Sequence, residues 1–369
     1  MIQIQALKSV LAKAGKYVSS RSSLPVLACF LLECDGETLT IRGTDLAKDI
    51  KAVIEVKGID PFACLVNAAK LDEFIRVVSA AEINMVLTGN HLFVSHGSGG
   101  INFPVQDANE FPPERRYSEG CDKFIIEKQT LVSLLERVSY AAATDEARPV
   151  LQGVQLSINH NVEVAATDGF RIAFDTTPRT EETKAVKLIV PASDFRLMTS
   201  HLVGPTVEVV YDDQHHVLNI LDGRSQYGLT LIDGNYPDFS QIVPKFGDML
   251  TKVKVTYYEL AKALKQANVI SREGTGVVRI RMSPQERPED GVIEIEASSE
   301  ESGSAAFIAN ATIEGAEIKF AINANFLMQA IEKADENEIE ILVNQPNTPV
   351  VVKEPGSDWY CVIMPMNME

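Results

Sequence analysis

The chain has 369 residues, of which 45% are hydrophobic and 23% are charged. This composition is typical of a folded globular protein, and the length predicts two or three domains. Its 51 acidic residues outnumber the 34 basic ones, so the formal net charge of −17 makes the surface as a whole repel polyanions. Charge therefore disfavours nucleic acid as a partner, unless the basic residues gather on one face.

The cysteines indicate a reducing environment. They are odd in number and lack metal-type spacing: Cys29, Cys34, Cys64, Cys121 and Cys361. The first 20 residues contain no apolar stretch of signal-peptide length, and no 18-residue apolar run occurs elsewhere. We expect a cytoplasmic protein without a metal or a cofactor.

Three sets of landmarks recur along the chain at intervals of about 125 to 130 residues. Amphipathic helices are predicted from Ala6, Thr130 and Glu259. Predicted strands run directly into further helices at 66–68, 190–192 and 322–324, and the pairs Thr44-Asp45, Thr167-Asp168 and Ser298-Ser299 share a third position. An interval of this length is too long for a solenoid or propeller repeat and indicates three copies of a whole domain.

Period-two segments such as LTIRG, VEVAA and IEIEA separate these helices. They predict antiparallel strands joined mainly by hairpins. We therefore predict an α+β fold of three tandem domains with boundaries at 1–119, 120–248 and 249–369. The segment at 283–291, rich in Pro and Gly, extends a hairpin in the third copy.

Two of the predicted helices have basic outer faces, with Lys8, Lys13 and Lys16 on the first and Lys262 and Lys265 on the fifth. The ordinary interpretation is that these lysines solvate surface helices. In so acidic a chain, they are also the residues that could form a local basic surface.

Five short stretches, in this order within a threefold repeat, carry a resemblance to a known family: 21–27 (RSSLPVL), 148–153 (RPVLQG), 166–171 (ATDGFR), 234–239 (GNYPDF) continuing to Pro244, and 362–366 (VIMPM). The chain resembles the bacterial DNA polymerase III beta subunit, the sliding clamp, over essentially its whole length.

The resemblance implies a head-to-tail homodimer in which six clamp domains close a ring around duplex DNA, without sequence specificity and without catalysis. It places Arg21 and the five lysines at the DNA. It places Lys70, Ile101 and Phe103 of one protomer against Val269 and Ile270 of the next. The implied partners are the replicative polymerase alpha subunit, the clamp loader, and other polymerases and repair proteins that carry Gln-Leu-x-Leu-Phe-like motifs.

The resemblance also implies a groove that receives the partner's peptide. Carried over position by position, it comprises Leu151, Thr167, Gly169, Phe170, Arg171, Ile172, Pro244, Thr275, Asn323, Phe326, Asn347, Pro349, Val362, Ile363, Met364, Pro365, Met366, Asn367 and Met368. Methionines suit a site that serves several partners. The alternative is that the tail is an ordinary core strand, which Pro365 disfavours.

Some positions depart from the family pattern. Phe170 replaces a His or Tyr that could form hydrogen bonds, Asn367 replaces a frequent Arg, and Ser240 and Gln241 stand where a basic residue is common. We expect a preference for less acidic peptides. A specialised or phage-type clamp with restricted partners stays the alternative.

An enzyme is the competing class of function. Its candidate residues are Asp168, the pair His91 and His96, and the pair His215 and His216. Asp168 precedes a glycine as a turn residue does, and the histidines fall on a predicted strand and a predicted hairpin tip. The glycine-rich segment 97–100 lacks the Lys-Ser or Lys-Thr of a phosphate-binding loop. We expect no catalytic residues.

Overall fold

The computed structural model describes residues 1–19, 21–97, 99–114, 117, 120–178, 185–212, 215–299, 303–334 and 337–367. Met368 of the predicted groove lies outside the described residues. Across these ranges no helix is both long enough and apolar enough to cross a membrane.

Each third of the described chain contains two α-helices. In chain order they are α1 (Ile4–Ala14), α2 (Ala68–Val77), α3 (Lys128–Val138), α4 (Ala192–Ser200), α5 (Tyr257–Ser271) and α6 (Ala324–Ile331). The predicted starts of α1, α3 and α5 are two residues late, because the preceding strands run straight into these helices.

The strands also fall into thirds. The first repeat contains β1 (Ile2–Gln3), β2 (Cys29–Cys34), β3 (Thr38–Thr44), β4 (Lys48–Glu55), β5 (Phe62–Asn67), β6 (Glu82–Thr88), β7 (His91–His96) and β8 (Gly99–Gln106). The second contains β9 (Lys123–Glu127), β10 (Gly153–Ile158), β11 (Asn161–Thr167), β12 (Arg171–Pro178), β13 (Val186–Pro191), β14 (Thr206–Asp212), β15 (Val217–Asp222) and β16 (Ser225–Thr230). The third contains β17 (Thr251–Thr256), β18 (Val277–Ser283), β19 (Gly291–Ser299), β20 (Gly303–Glu314), β21 (Ile318–Asn323), β22 (Glu338–Val343), β23 (Val350–Lys353) and β24 (Tyr360–Ile363).

The predicted strand-to-helix junctions are confirmed. Strands end at Asn67, Pro191 and Asn323, and α2, α4 and α6 begin at the next residue. Asn67 accepts a hydrogen bond from the Lys70 backbone N–H (3.0 Å), and the Asn323 side chain caps α6 in the same way. These caps satisfy N–H groups that the first turn of a helix leaves without a partner.

The described chain forms two compact units, each built around one antiparallel sheet of 12 strands. The first unit comprises Met1–Leu131 and Leu197–Leu231, and its strand order is β1-β6-β7-β8-β5-β2-β3-β4-β16-β15-β14-β9. The second comprises Val132–Arg196 and Ile232–Glu369, with the order β13-β10-β11-β12-β24-β23-β22-β17-β20-β19-β18-β21.

These units do not coincide with the three repeats. Main-chain pairing crosses a repeat boundary in each sheet: β16 pairs with β4 in the first, and β24 pairs with β12 in the second. The second repeat therefore contributes β9 and β14–β16 to one sheet and β10–β13 to the other. The domain boundaries 119/120 and 248/249 stay a prediction.

The helices cover the sheets with apolar faces. In α1 the buried residues are Ile4, Leu7, Leu11 and Ala14, and the helix contacts α2, β3 and β4. In α5 the buried face includes Leu260, Leu264 and Ala267, packed against β19 and β20. Each large side chain so buried contributes about 1.5 to 3 kcal/mol.

His201, just after α4, is surrounded by α1 and β16 within the first unit. Its carbonyl accepts hydrogen bonds from Lys13 Nζ (2.9 Å) and from the Tyr227 hydroxyl (3.2 Å), and its Nδ1 lies 3.3 Å from the Tyr17 hydroxyl. Burial, followed by the charges of Lys13 and Lys16, lowers the pKa of His201 below its ordinary value of 6.5. The folded chain therefore favours the neutral imidazole.

We expect this histidine to make stability depend on pH. Because its pKa is lower in the folded state, its contribution is present above pH 6.5 and is lost as pH falls through the folded-state pKa. His201→Gln keeps the carbonyl bonded to Lys13 but removes the titrating ring. Thermal unfolding at pH 7.5 and 5.5 should show a smaller loss of melting temperature in the variant. Equal losses in both proteins would contradict the prediction.

Candidate functional site

A pocket of about 570 Å³ lies in the second unit, beside the turn between β11 and β12; we call it the main pocket. Its lining comes from the second and third repeats: Arg148, Pro149, Val150, Leu151, Thr167, Gly169, Phe170, Arg171, Ile172, Asn235, Pro237, Phe239, Ile242, Val362 and Met364. Three of its apolar side chains are substantially exposed: Phe170 (55%), Ile242 (47%) and Met364 (38%).

The β11–β12 turn is held by a network centred on Asp168. The Phe170 and Arg171 backbone N–H groups donate to Asp168 Oδ1 (2.9 and 3.1 Å). The Thr167 hydroxyl donates to the Arg171 carbonyl (2.6 Å) and accepts from the Gly169 N–H (3.0 Å). Asp168 is therefore occupied in shaping a turn, as its sequence context predicts.

Arg171 is buried beneath the main pocket, with 7% of its surface exposed. Its guanidinium pairs with Asp168 (3.0 Å), donates to Gln329 Oε1 (2.5 Å) and lies 4.4 Å from the centre of the Phe326 ring. It also donates to the Tyr140 carbonyl (2.9 Å). Since its donors are used inside the protein, Arg171 fixes the pocket floor through packing.

Gly169 and Arg148 form the rim of the main pocket. Arg148 donates to the Asp168 carbonyl (2.9 Å). Gly169 has φ +91°, and a Cβ there would lie 2.6 Å from Arg148 Nη1. The left-handed backbone favours glycine, and any larger residue would displace the Arg148 guanidinium from its present position. Arg148 thus places an exposed cation at the rim, which the sequence analysis did not assign to the site.

The chain's last described segment forms one wall of the main pocket. Strand β24 pairs with β12, placing Ile363 opposite Arg171. Beyond it, the Met364 N–H donates to the Phe170 carbonyl (2.8 Å) and the Met366 N–H donates to the Ala321 carbonyl (2.8 Å). The tail is thus an ordered continuation of β24, an interior strand of the sheet, and Met364 lines the pocket.

The structure brings eight of the predicted groove residues to the main pocket: Leu151, Thr167, Gly169, Phe170, Arg171, Ile172, Val362 and Met364. Others lie outside its lining. Asn323 caps α6, Phe326 stacks under Arg171, Ile363 is fully buried in β24, and Met366 is 38% exposed. Thr275, Asn347 and Asn367 are exposed, and Pro244, Pro349 and Pro365 are half-buried.

Seven lining residues were missed by the sequence analysis: Arg148, Pro149, Val150, Asn235, Pro237, Phe239 and Ile242. Most belong to the stretches 148–153 and 234–239 that carry the family resemblance. Membership of those stretches was the signal that could have found them.

A buried cluster of Arg137, Asp175, Glu354 and Trp359, which we call the Arg137 joint, holds the N-terminal end of β24. Arg137, in the last turn of α3, bonds Glu354 Oε2 (2.6 Å) and lies 3.4 Å from Asp175 Oδ2. Its guanidinium sits 5.2 Å from the ring centre of Trp359, whose indole N–H donates to the Arg137 carbonyl (2.9 Å). The joint links α3 and β12 of the second repeat to the β23–β24 hairpin of the third.

The residues assigned to DNA differ in their surroundings. Lys8 Nζ donates to the Val78 carbonyl (2.7 Å) and Lys13 Nζ to the His201 carbonyl, so both neutralise helix C-terminal regions. Burial lowers the pKa of Lys13. The exposed members of the set are Lys16, Arg21, Lys262 and Lys265.

The residues assigned to the protomer contact lie on β8, α2 and α5. Ile101 (41%) and Val269 (50%) are exposed, Ile270 is half-buried, and Lys70 pairs with Glu73 on the surface (3.4 Å). Phe103 is 6% exposed and packs edge-on against Phe74, with the ring centres 5.9 Å apart. Phe103 therefore supports β8 from inside.

Comparison with known proteins identifies the family. Models of the DNA polymerase III beta subunit match in tandem: the N-terminal domain at 1–115, the central domain at 125–238 and the C-terminal domain at 240–367. The chain belongs to the DNA polymerase III beta subunit family. Its members are beta sliding clamps, which are non-catalytic processivity factors of DNA polymerase. The three tandem matches confirm the resemblance and the α+β fold of three clamp domains.

Relatives and solved structures match the chain over nearly its whole length. It is 26% identical to the beta sliding clamp of Pseudomonas putida, covering 100% of this chain and 99% of the relative. It superposes on the Bacillus subtilis sliding clamp with a TM-score of 0.93 at 22% identity, covering 100% and 98% of the two chains. A Pseudomonas aeruginosa clamp solved with bound griselimycin gives a TM-score of 0.93 at 24% identity, covering 100% and 98%.

We expect the Arg137 joint to contribute strongly to stability. Arg137→Met leaves the carboxylates of Glu354 (3% exposed) and Asp175 (6%) buried without this cation, which costs about 3 to 5 kcal/mol. The matched control is Arg224→Met, which breaks an exposed pair with Glu55 (2.5 Å) and should lower stability far less, because solvent screens that pair. Denaturant unfolding of the two variants checks this, and similar losses would contradict it.

Proposed function

We propose that this protein acts as a homodimeric ring that encircles duplex DNA and tethers replication and repair proteins through the main pocket. The observation that carries the tethering role is the pocket itself: apolar, open to solvent, and walled by the chain's own ordered tail. Apolar pockets of this volume with a few fixed polar groups are typical ligand sites.

A short peptide with aliphatic and aromatic anchors suits this pocket. Phe170, Ile242 and Met364 offer exposed apolar contact, and Met364 can adapt to different anchors because its side chain is unbranched. Rim groups such as Arg148 and Asn235 can fix the peptide backbone. The proposed partners are the replicative polymerase alpha subunit, the clamp loader, and proteins with Gln-Leu-x-Leu-Phe-like segments.

Two sheet edges support a head-to-tail contact between copies. Among the described residues, β8 pairs on one side only over Gly99–Pro104, and β20 pairs on one side only over Gly303–Ala311. An open edge is a template for pairing with another chain. Two different edges give a heterologous contact, which must close into a ring to avoid a filament. Ile101 and Ile308 are exposed on these strands at 41% and 64%.

The DNA role follows from how the charges are distributed. The exposed Lys16, Arg21, Lys262 and Lys265 can make weak, salt-dependent phosphate contacts, while the net charge of −17 discourages binding elsewhere. Weak contacts suit a ring that must slide. We place this function in the cytoplasm, where replication takes place in bacteria.

A specialised clamp with restricted partners stays the second candidate. Phe170 supplies no side-chain hydrogen bond at the pocket, and it exposes 55% of its surface there. Arg148 works in the opposite direction, since its cation favours acidic peptides. Peptide affinity therefore decides between a general and a restricted partner set.

We expect a fluorescent Gln-Leu-Ser-Leu-Phe peptide to bind the full chain with a Kd on the order of 1 µM, about −8 kcal/mol. A chain ending at Ile363 loses Met364 and the hydrogen bonds to Phe170 and Ala321. Its affinity should fall at least about tenfold while its melting temperature persists. Fluorescence anisotropy measures both affinities.

The matched control ends at Asn367 and keeps every described residue of the tail. Equal binding by all three chains would show that the tail is not part of the site. The same assay with a peptide in which Ser is replaced by Asp tests the predicted preference for less acidic peptides. Tighter binding of the Asp peptide would contradict that prediction.

We expect Ile308→Asp to convert the dimer into monomers, because it places a charge in an apolar contact between copies. Ile125→Asp is the matched control, since Ile125 is exposed to the same 64% on β9. Light scattering gives the mass, and retention on closed circular DNA loaded with the protein reports ring closure. A dimeric Ile308→Asp variant that stays on the circle would refute the proposed edge contact.

A further inference from the structure

The first repeat contains a pocket of its own in the first unit, which the proposed function does not use. This first-repeat pocket has a volume of about 200 Å³ and lies beside the β3–β4 turn. Its lining is Arg42, Gly43, Thr44, Leu46, Asp49, Phe111, Pro112 and Pro113.

The β3–β4 turn repeats, bond for bond, the network beside the main pocket. The Thr44 hydroxyl donates to the Lys48 carbonyl (3.0 Å) and accepts from the Leu46 N–H (3.0 Å). The Ala47 and Lys48 N–H groups donate to Asp45 Oδ1 (2.9 and 2.8 Å), and Lys48 Nζ pairs with Asp45 Oδ2 (2.8 Å). The duplicated sequence therefore builds the same rim twice.

The two turns differ at the position that faces the pocket. Where the main pocket has Gly169, the first-repeat pocket has Leu46, with φ +73°. A leucine in this left-handed region costs free energy that glycine or asparagine would avoid. Leu46 is also 46% exposed, so burial in the chain's own core does not explain it. Its side chain instead supplies an apolar wall to the pocket.

Arg42 supplies a positive charge to the lining of the first-repeat pocket. Its guanidinium lies 5.3 Å from the centre of the Phe111 ring and is 3.4 Å from the Pro112 carbonyl. Within the described ranges it forms no salt bridge with a carboxylate, unlike neighbouring Lys48 and Lys51, which pair with Asp45 and Glu114. Asp49 also lines the pocket, which disfavours a ligand carrying two negative charges.

We propose that the first-repeat pocket binds the C-terminal end of a peptide whose last residue is aliphatic. The terminal carboxylate pairs with Arg42, and the aliphatic side chain packs between Leu46, Phe111 and Pro113. The volume is below the about 300 to 1,000 Å³ of sites for larger ligands, so it accommodates one residue and its carboxylate. This site is independent of the main pocket and of its peptide.

The test uses N-acetyl-glycyl-leucine and its C-terminal amide with the full-length, methyl-labelled protein. We expect shifts of the Leu46 methyl signals with a Kd on the order of 1 mM for the acid, and at least about tenfold weaker binding for the amide. Arg42→Gln should abolish this difference between acid and amide. Equal binding of acid and amide to the wild-type protein would overturn the proposal.

Two further variants separate binding from folding and from the main pocket. Leu46→Asn suits the left-handed backbone, so the melting temperature should not fall. Because this variant lacks the Leu46 methyl groups, its acid binding is followed through the methyl signal of Thr44, which also lines the pocket, and it should weaken about fivefold or more. Met364→Ser alters the main pocket and should leave the Leu46 shifts unchanged. Unchanged binding by Leu46→Asn, or loss of the shifts in Met364→Ser, would also overturn the proposal.

Discussion

Main-chain pairing across repeat boundaries is the constraint on which the rest of this structure depends. Strands β16 and β4 join the first and second repeats, and β24 and β12 join the second and third. Each pairing covers two sheet edges that a separate domain would leave open. The second repeat is thereby divided between two sheets, so the sequence repeat is not the compact unit of the fold.

The β12–β24 pairing also builds the main pocket. Because β24 continues past Ile363, the next residue is bonded to Phe170 and its side chain faces the space beside the Asp168 turn. The Arg137 joint fixes the start of the same strand through Glu354 and Trp359. The site is thus made of two repeats and is positioned from both ends of one short strand.

Duplication of the Thr-Asp turn shows how one local network supports different chemistry. In both repeats the aspartate organises backbone N–H groups and pairs with a cation three residues later. The residue after the aspartate then determines what the turn presents to its pocket. Gly169 leaves room for the Arg148 guanidinium beside its backbone, whereas the Leu46 side chain forms an apolar wall in the corresponding place. An aspartate in such a turn is explained by folding, which removes the main argument for an enzyme.

The sequence by itself determined the threefold repeat, the α+β class, the helix positions and the family. These rest on local periodicity, on recurring strand-to-helix landmarks such as 66–68 and 322–324, and on short stretches that resemble the family. It also found eight lining residues of the main pocket, through family resemblance. It did not find Arg148, Pro237 or Ile242. Its assignment of Lys8 and Lys13 to DNA stays a prediction, and both ammonium groups also donate to backbone carbonyls.

Only the tertiary structure identified these further lining residues and the carbonyl partners of the two lysines. Which side chains line a pocket depends on loops from distant segments that meet when β12 and β24 pair, and no local period encodes that meeting. The backbone carbonyls that hold the ammonium groups lie 70 residues away from Lys8 and 188 residues away from Lys13. Contacts of this kind belong to the folded arrangement, because neither the spacing nor the type of the residue reveals its partner.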